Sequence, residues 1–552
     1  MKVDLRYLGR SGLSRTGGSA TLSWSPNLAR DEVAFEGQLL APLRFREAMS
    51  ALHDVVVSDL RFKPRGREAF AAWKAAKALE EDALHREASD AGRRAALVAL
   101  AKEGPPPNLE RDHAAAVKTY WNARDKWWRA LILTDPWLWR KLVPLDPVVT
   151  VADDALLFEC FSKDESSYGC LSVSRDGFAS AGDAQLGVTN VDYSQALYDR
   201  FQTLRTYRDT RFVVDPGGFG VKVDGHPDHR EEKIDLPDSW LRGFGQLQAA
   251  MTLPARRVEL PVEVLYAVLR HLRLTRAKTG PRAIRFELVP GRPPTLVLEP
   301  WDLRIVSRGA PYGGATEETI RVWGRRRLAV LERLLPLIDR LEVRLLGTGL
   351  ASIWVAWMGD LAFTLGLSGW TTNNWSSGGQ LDLLAGLTDD PRLGQVLTTR
   401  LRRTRTEGLD ALETAGDRRA VRGALFGLAK RGQVMYDAAI DQVRWRSVVG
   451  VELTDAMLGE EPPEAVAGGK LARGGKVTNT EERVVGDRRM LTATVDGRQC
   501  EALLDLDGRF VRAGCTCAHH RKYALKAGPC RHLLALSWVR AKSRTSVLAV
   551  RA

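Results

Sequence analysis

GCTCAHHRKYALKAGPCRHLLAL, residues 514 to 536, sets Cys515-x-Cys517, a spacer of twelve residues and then Cys530-x-His532. Three thiolates and one imidazole are the donor set that tetrahedral Zn²⁺ takes in structural sites. Four protein ligands leave no open position for a reactive water, so the expected role of the metal is structural. A Cys-x-Cys pair places both side chains on one side of an extended segment. Gly528-Pro529 supplies a turn before the second pair, and Leu533, Leu534, Leu536 and Val539 give the apolar face of a following helix that holds His532 in its first turn. His519 and His520 lie in the spacer and compete as fourth ligand; His532 is preferred because a helix start fixes its geometry.

Upstream, LTATVDG (491–497) and CEALLDLDG (500–508) alternate apolar and polar residues, and each ends in Asp-Gly. That pattern predicts short antiparallel strands. The expected order is strand, strand, Cys hook, loop, Cys-x-His helix.

This arrangement resembles the SWIM zinc finger, whose pattern of Cys-x-Cys, variable spacer and Cys-x-His is met by Cys515, Cys517, Cys530 and His532. Four further runs are similar to those of bacterial SWIM zinc finger family proteins: FECFSKDESSYG (158–169), EEKIDLPDSWLRGF (231–244), RVWGRRRLAVLERLLP (321–336) and LSGWTTNNW (367–375). The resemblance implies DNA binding or protein interaction without choosing between them. It also implies an adaptor role, because similar bacterial proteins tend to be encoded beside MoxR-type AAA+ ATPases and VWA-domain proteins.

The 552 residues, 44% hydrophobic, suffice for several cores. No uninterrupted apolar run reaches the ~18 residues of a membrane span, and the N-terminus lacks the apolar core of a secretory signal. The expectation is a cytoplasmic protein with no membrane partner. Six cysteines in so long a chain do not form a disulfide framework. Cys160, Cys170 and Cys500 sit in apolar strand-like contexts and are read as buried and inert. The net charge is +13, and residues 470–552 alone hold seventeen Lys and Arg against seven Asp and Glu. A nucleic acid, DNA first, or an acidic protein surface is the natural partner.

The fold expected is multidomain α+β. Residues 1–145 read as N-terminal strands plus long helices, including an Ala-rich tract at 67–103 and an aromatic helix at 112–133. Residues 146–378 alternate strand-like and helix-like runs and form an α+β body. Residues 381–458 read as helices followed by a hairpin around Ala-Ala-Ile-Asp, a winged-helix pattern with Arg422, Lys430 and Arg431 on or beside its recognition helix and Arg444 and Arg446 flanking the wing. A linker at 459–470 precedes the zinc module at 470–552.

No phosphate-binding glycine loop before Lys-Ser or Lys-Thr, no His-Glu-x-x-His and no Gly-x-Ser-x-Gly occurs. The triplet Arg325, Arg326 and Arg327 is read as solvated charge on an amphipathic helix. The expected function is that of a non-enzymatic, zinc-stabilised binding protein. Its first phosphate-contacting candidates are Arg512, Arg521, Lys522, Lys526 and Arg531.

Overall fold

The computed structural model describes residues 12–16, 19–24, 33–58, 147–179, 184–190, 209–214, 238–253, 255–278, 280–369, 374–376, 389–448, 463–485, 488–504, 510–525 and 528–549, with short pieces between them such as 111–119. The chain divides into two compact units, residues 1–60 with 145–552, and residues 61–144. The described part of the second unit is helical and exposed over 111–119. The Ala-rich tract at 67–103 lies, apart from Val98, outside the described residues.

In the first unit, β1 (Gly12–Thr16), β2 (Ser19–Trp24), β3 (Phe35–Leu39), β7 (Phe178–Ala179) and β9 (Asp209–Val214) form a sheet ordered β1-β2-β9-β3-β7. The N-terminal strands therefore share a sheet with residues beyond 146. An eight-stranded sheet dominates the body, built from β4 (Val148–Val151), β5 (Ala155–Phe161), β6 (Ser167–Ser174), β8 (Gly187–Asn190), β10 (Arg256–Leu260), β15 (Arg340–Leu345), β16 (Ser352–Met358) and β17 (Leu361–Leu367). Its order is β10-β15-β16-β17-β6-β5-β4-β8, antiparallel throughout.

The central strands are buried along their whole length because both faces are covered. On one face, α1 (Pro42–Val57) brings Phe45 against Phe158 and Leu52 against Gly169. On the other, α2 (Asp238–Thr252) brings Trp240 and Phe244 edge-on to Phe161. A Cβ at Gly243 would meet the Phe161 ring at 3.0 Å, so the helix approaches this closely only with glycine there. A helix α3 (Val262–Leu274) and a four-stranded sheet of β11 (Ile284–Leu288), β12 (Thr295–Leu298), β13 (Leu303–Val306) and β14 (Glu318–Val322) complete the body.

Three of the sequence runs singled out above meet in one place. Asp164 accepts hydrogen bonds from the hydroxyls of Ser162 (2.7 Å) and Ser166 (2.6 Å), shaping the turn between β5 and β6. Arg327 reaches in from the 3₁₀ segment Arg325–Leu337 and donates to the Ser166 carbonyl at 3.2 Å, with Ser368 Oγ 3.5 Å away. Trp375, 1% exposed, donates its backbone N–H to the Glu165 carbonyl. The arginine triplet thus departs from the solvated-charge expectation: Arg325 and Arg327 are buried and only Arg326 is exposed. Arg325 lies over the Trp301 ring, and burial lowers its pKa to about 10.

Residues 391–448 run α4 (Pro391–Thr404), β18 (Thr406–Gly408), α5 (Leu409–Leu412), α6 (Arg418–Lys430), β19 (Val434–Asp437) and β20 (Gln442–Trp445), with strand order β18-β20-β19. Asp390 and Asp417 cap α4 and α6 by accepting two backbone N–H bonds each. The segment is fastened to the body. Helix α6 is buried from Val421 to Ala429 and packs on α2. Arg446 pairs with Glu159, both 1% exposed, and Arg444 pairs with Asp154 and Asp437. Arg444 and Arg446, expected beside an exposed wing, are therefore buried seam residues, because each finds a carboxylate partner across the body sheet or within the hairpin.

The C-terminal part holds α7 (Pro463–Arg473), β21 (Val477–Val485), β22 (Arg488–Val495), β23 (Arg498–Leu504), β24 (Phe510–Cys515), α8 (Ala518–Tyr523) and α9 (Arg531–Ala549). Its sheet runs β21-β22-β23-β24. Leu491, Ala493 and Val495 with Cys500, Ala502 and Leu504 make the inner face, covered by Leu533 and Leu536 of α9. The linker expected at 459–470 is, from Pro463 on, a helix. Gly468 lets α7 lie against α9, where a Cβ would stand 3.0 Å from Arg531 O and Leu534 Cβ.

Candidate metal centre

Strand β24 ends on Cys515, and Thr516 turns out to solvent so that Cys517 comes back to the same side. Cys517 then caps α8, its Sγ accepting the backbone N–H of His520 at 3.3 Å. Gly528, at φ +81°, and Pro529 swing the chain so that Cys530 stands immediately before α9. His532 follows in the first turn of α9. Two of the three thiols thus sit at helix starts.

The ligand atoms of Cys515, Cys517, Cys530 and His532 all lie within 4.8 Å of one another. Ligand atoms of a tetrahedral site with metal–sulfur bonds of about 2.3 Å stand about 3.8 Å apart, inside that limit. Cys530 is fully buried and the other three are at most 9% exposed. His532 Nδ1 is buried with no hydrogen-bond partner, as is Nδ1 of His519 and of His520, so the ligand distances are what single out His532. The cluster fits a divalent metal, and its soft donor set is consistent with zinc. His519 and His520 are not part of it.

A fourth thiol stands against the cluster. Cys500 lies opposite Cys515 in the β23–β24 ladder, with Sγ 3.5 Å from Sγ. Its hydrogen bond holds the Cys515 thiol well below the ordinary cysteine range, and raises Cys500 in turn. The sequence reading set Cys500 aside as inert. The alternation of β23, which points it to the same face as Ala502 and Leu504, was the signal that placed it on the inner face.

Glu464, also missed, ties α7 to the site. It accepts the backbone N–H of Arg531 at 2.7 Å and pairs with the Arg531 guanidinium. Burial opposes its ionisation, but hydrogen bonds from Arg531 prevail and its pKa is lowered.

The phosphate-contacting candidates divide. Arg512, Arg521 and Lys522 are exposed, Lys522 Nζ lying 4.8 Å from the neighbouring Tyr523 ring, and none makes an ion pair with a described residue. Arg531 is engaged by Glu464, and Lys526 lies outside the described residues. Arg422 is 8% exposed and pairs with Glu413 at 2.7 Å. Arg431 pairs with Asp389 at 2.5 Å, and Lys430 stands 5.6 Å from the Phe426 ring.

No protein-family model and no curated protein matches the chain. Solved structures that align with part of it are the proliferating cellular nuclear antigen of Entamoeba histolytica and that of Thermococcus kodakaraensis, each at 11% identity and a TM-score of 0.27. The alignments cover 41% of this chain and 89% and 90% of those chains. At that score the likeness carries no argument. What the fold and site define is a multi-sheet α+β protein with a C-terminal Cys₃His cluster able to hold a metal ion. Among the described residues, no helix is long and apolar enough to cross a membrane.

Proposed function

We propose that this chain is a non-enzymatic, SWIM-type binding protein in which a structural Zn²⁺ rigidifies a basic C-terminal module, and that the module holds nucleic acid by its phosphates. The observation that carries this reading is the exposure of Arg512, Arg521 and Lys522 beside a closed four-ligand cluster, without ion pairs to described residues. Cations already paired within the fold gain little from a phosphate, whereas these three release counterions when they meet one.

The order of elements in 391–448 supports a winged-helix reading of that segment. Its central helix faces the body, and Arg422 and Arg431 are held by carboxylates. We therefore assign the segment to scaffolding and place no groove contact on Arg422, Lys430 or Arg431. The same buried seam favours a second reading, a rigid adaptor whose α+β body offers the binding surface, with a MoxR-type AAA+ ATPase or a VWA protein as the partner that the resemblance implies.

Titration of labelled duplex and single-stranded DNA at ~50 and ~200 mM salt tests the first reading. Binding that weakens steeply with salt and is lost in Arg521→Glu/Lys522→Glu, with metal content unchanged, supports it. No binding at either salt overturns it in favour of the adaptor.

A further inference from the structure

Cys500 belongs to none of the four ligand positions, yet its sulfur is 3.5 Å from that of Cys515. The ladder explains the closeness. Thr516 N–H donates to the Gln499 carbonyl at 3.2 Å, so residues 499 and 516 form a hydrogen-bonded pair. Residues 500 and 515, one step along, are then a non-hydrogen-bonded pair, the position at which opposed side chains come closest. Closing 3.5 Å to a disulfide of about 2.05 Å needs a shift of about 1.5 Å. Strand β24 can supply it, being the edge of its sheet with a register irregularity at Leu503/Leu504. Cys530 also hydrogen-bonds Cys515, but it stands fully buried at the start of α9, and Cys517 is held as the cap of α8, whereas Cys500 faces Cys515 directly in the ladder.

We propose that Cys500 and Cys515 are an oxidative modification site, joined as a cross-strand disulfide by a hydroperoxide, and that this bond removes a ligand and releases the metal. The Cys515 sulfur attacks the hydroperoxide; an S–O bond forms, the O–O bond breaks, and the departing alkoxide takes a proton from solvent. Cys500 Sγ then attacks the resulting sulfenic acid; the S–S bond forms, the S–O bond breaks, and the thiol proton leaves with the hydroxyl as water. The two thiols are oxidised by two electrons and the peroxide is reduced to an alcohol and water. Exposed Thr516 beside Cys515 gives a small oxidant its approach.

The release of metal rests on the zinc reading above; the disulfide does not. The test uses the full chain loaded with Zn²⁺ and treated with hydrogen peroxide. A chromogenic chelator reports metal release, and non-reducing peptide mapping reports the bonds. The expected result is one Cys500–Cys515 bond per zinc released, reversed by a dithiol reductant and added Zn²⁺. In Cys500→Ser release is about tenfold slower, because the thiol directly opposite Cys515 is gone and only the ligand thiols Cys517 and Cys530 are left to resolve the sulfenic acid. A Cys515–Cys530 or Cys515–Cys517 bond in the unsubstituted protein overturns the proposal, as does release from Cys500→Ser at the unsubstituted rate. Should Cys500→Ser fail to hold zinc before oxidation, peptide mapping of the unsubstituted chain decides by itself. A chain that never binds zinc defeats the metal reading, and mapping still decides the disulfide.

Discussion

Arg327 Nη1 donates to the carbonyl oxygen of Ser166 at 3.2 Å, across 161 residues of chain. The contact joins the Asp-Glu-Ser-Ser turn to the arginine triplet, and Ser368 brings in the third run at the same point. These stretches read as marks without a role in the sequence. In the structure they are the clasp that closes the body sheet at the β5–β6 turn.

Arg327→Met therefore destabilises the body by about 1–2 kcal/mol, since the Ser166 carbonyl loses its charged donor and keeps only the Ser368 backbone N–H. Arg326→Met, at the exposed neighbour, stays within about 0.5 kcal/mol. Urea unfolding followed by tryptophan fluorescence measures both, and equal effects would remove the clasp from the account.

Cys530→Ser or Cys515→Ser unfolds the C-terminal module selectively, because metal binding supplies much of the folding free energy of such a domain, on the order of 10 kcal/mol. Limited proteolysis checks this. A protease-resistant C-terminal fragment unchanged in either variant contradicts a structural metal.

The boundary of that module is equally testable. A fragment beginning at 463 carries α7 and its Glu464–Arg531 contacts. It should hold metal and melt cooperatively, whereas one beginning at 475 should melt lower. Equal melting of the two would make α7 an appendage.

Arg446→Met leaves Glu159 as an uncompensated buried charge, which costs about 3–5 kcal/mol. The double substitution Arg446→Met/Glu159→Gln recovers much of that loss. Chemical denaturation of the four proteins completes the cycle, and an additive double variant would show that the pair is uncoupled.

Acid should act through Glu464. Its folded pKa lies below the ordinary 4.5, so its contribution is fully present above 4.5 and is lost as pH falls through the folded value. The melting difference between the unsubstituted chain and Glu464→Gln should be largest near neutrality and vanish in acid. A difference independent of pH would show that the ionised carboxylate is not what holds α7.

The hairpin of β19 and β20 and the ligand order were legible because turn residues and cysteine spacing are local signals. Helix α7 was not, since Pro462-Pro463 and Gly468-Gly469 spell a linker until α9 is there to pack against. The segment after Gly324 looked like an amphipathic α-helix. Gly324 at φ +85° and Pro336 near its end accompany tighter 3₁₀ turns, which carry Arg325 and Arg327 inward. Burial of a cation depends on carbonyls brought from distant chain, and no spacing announces it. The exposed, charged strand β21 carries no alternation at all.

That strand also bears on how the protein behaves in concentrated solution. Its nine residues form a sheet edge with no further strand beside it among the described residues, the kind of surface that invites strand-to-strand polymerisation. A register irregularity between Thr478 and Glu481 interrupts its regularity, and Glu481, Glu482 and Arg483 set charge along it. Copies meeting edge to edge face mismatched spacing and buried charge, so the edge left open by the metal module is guarded against fibre formation.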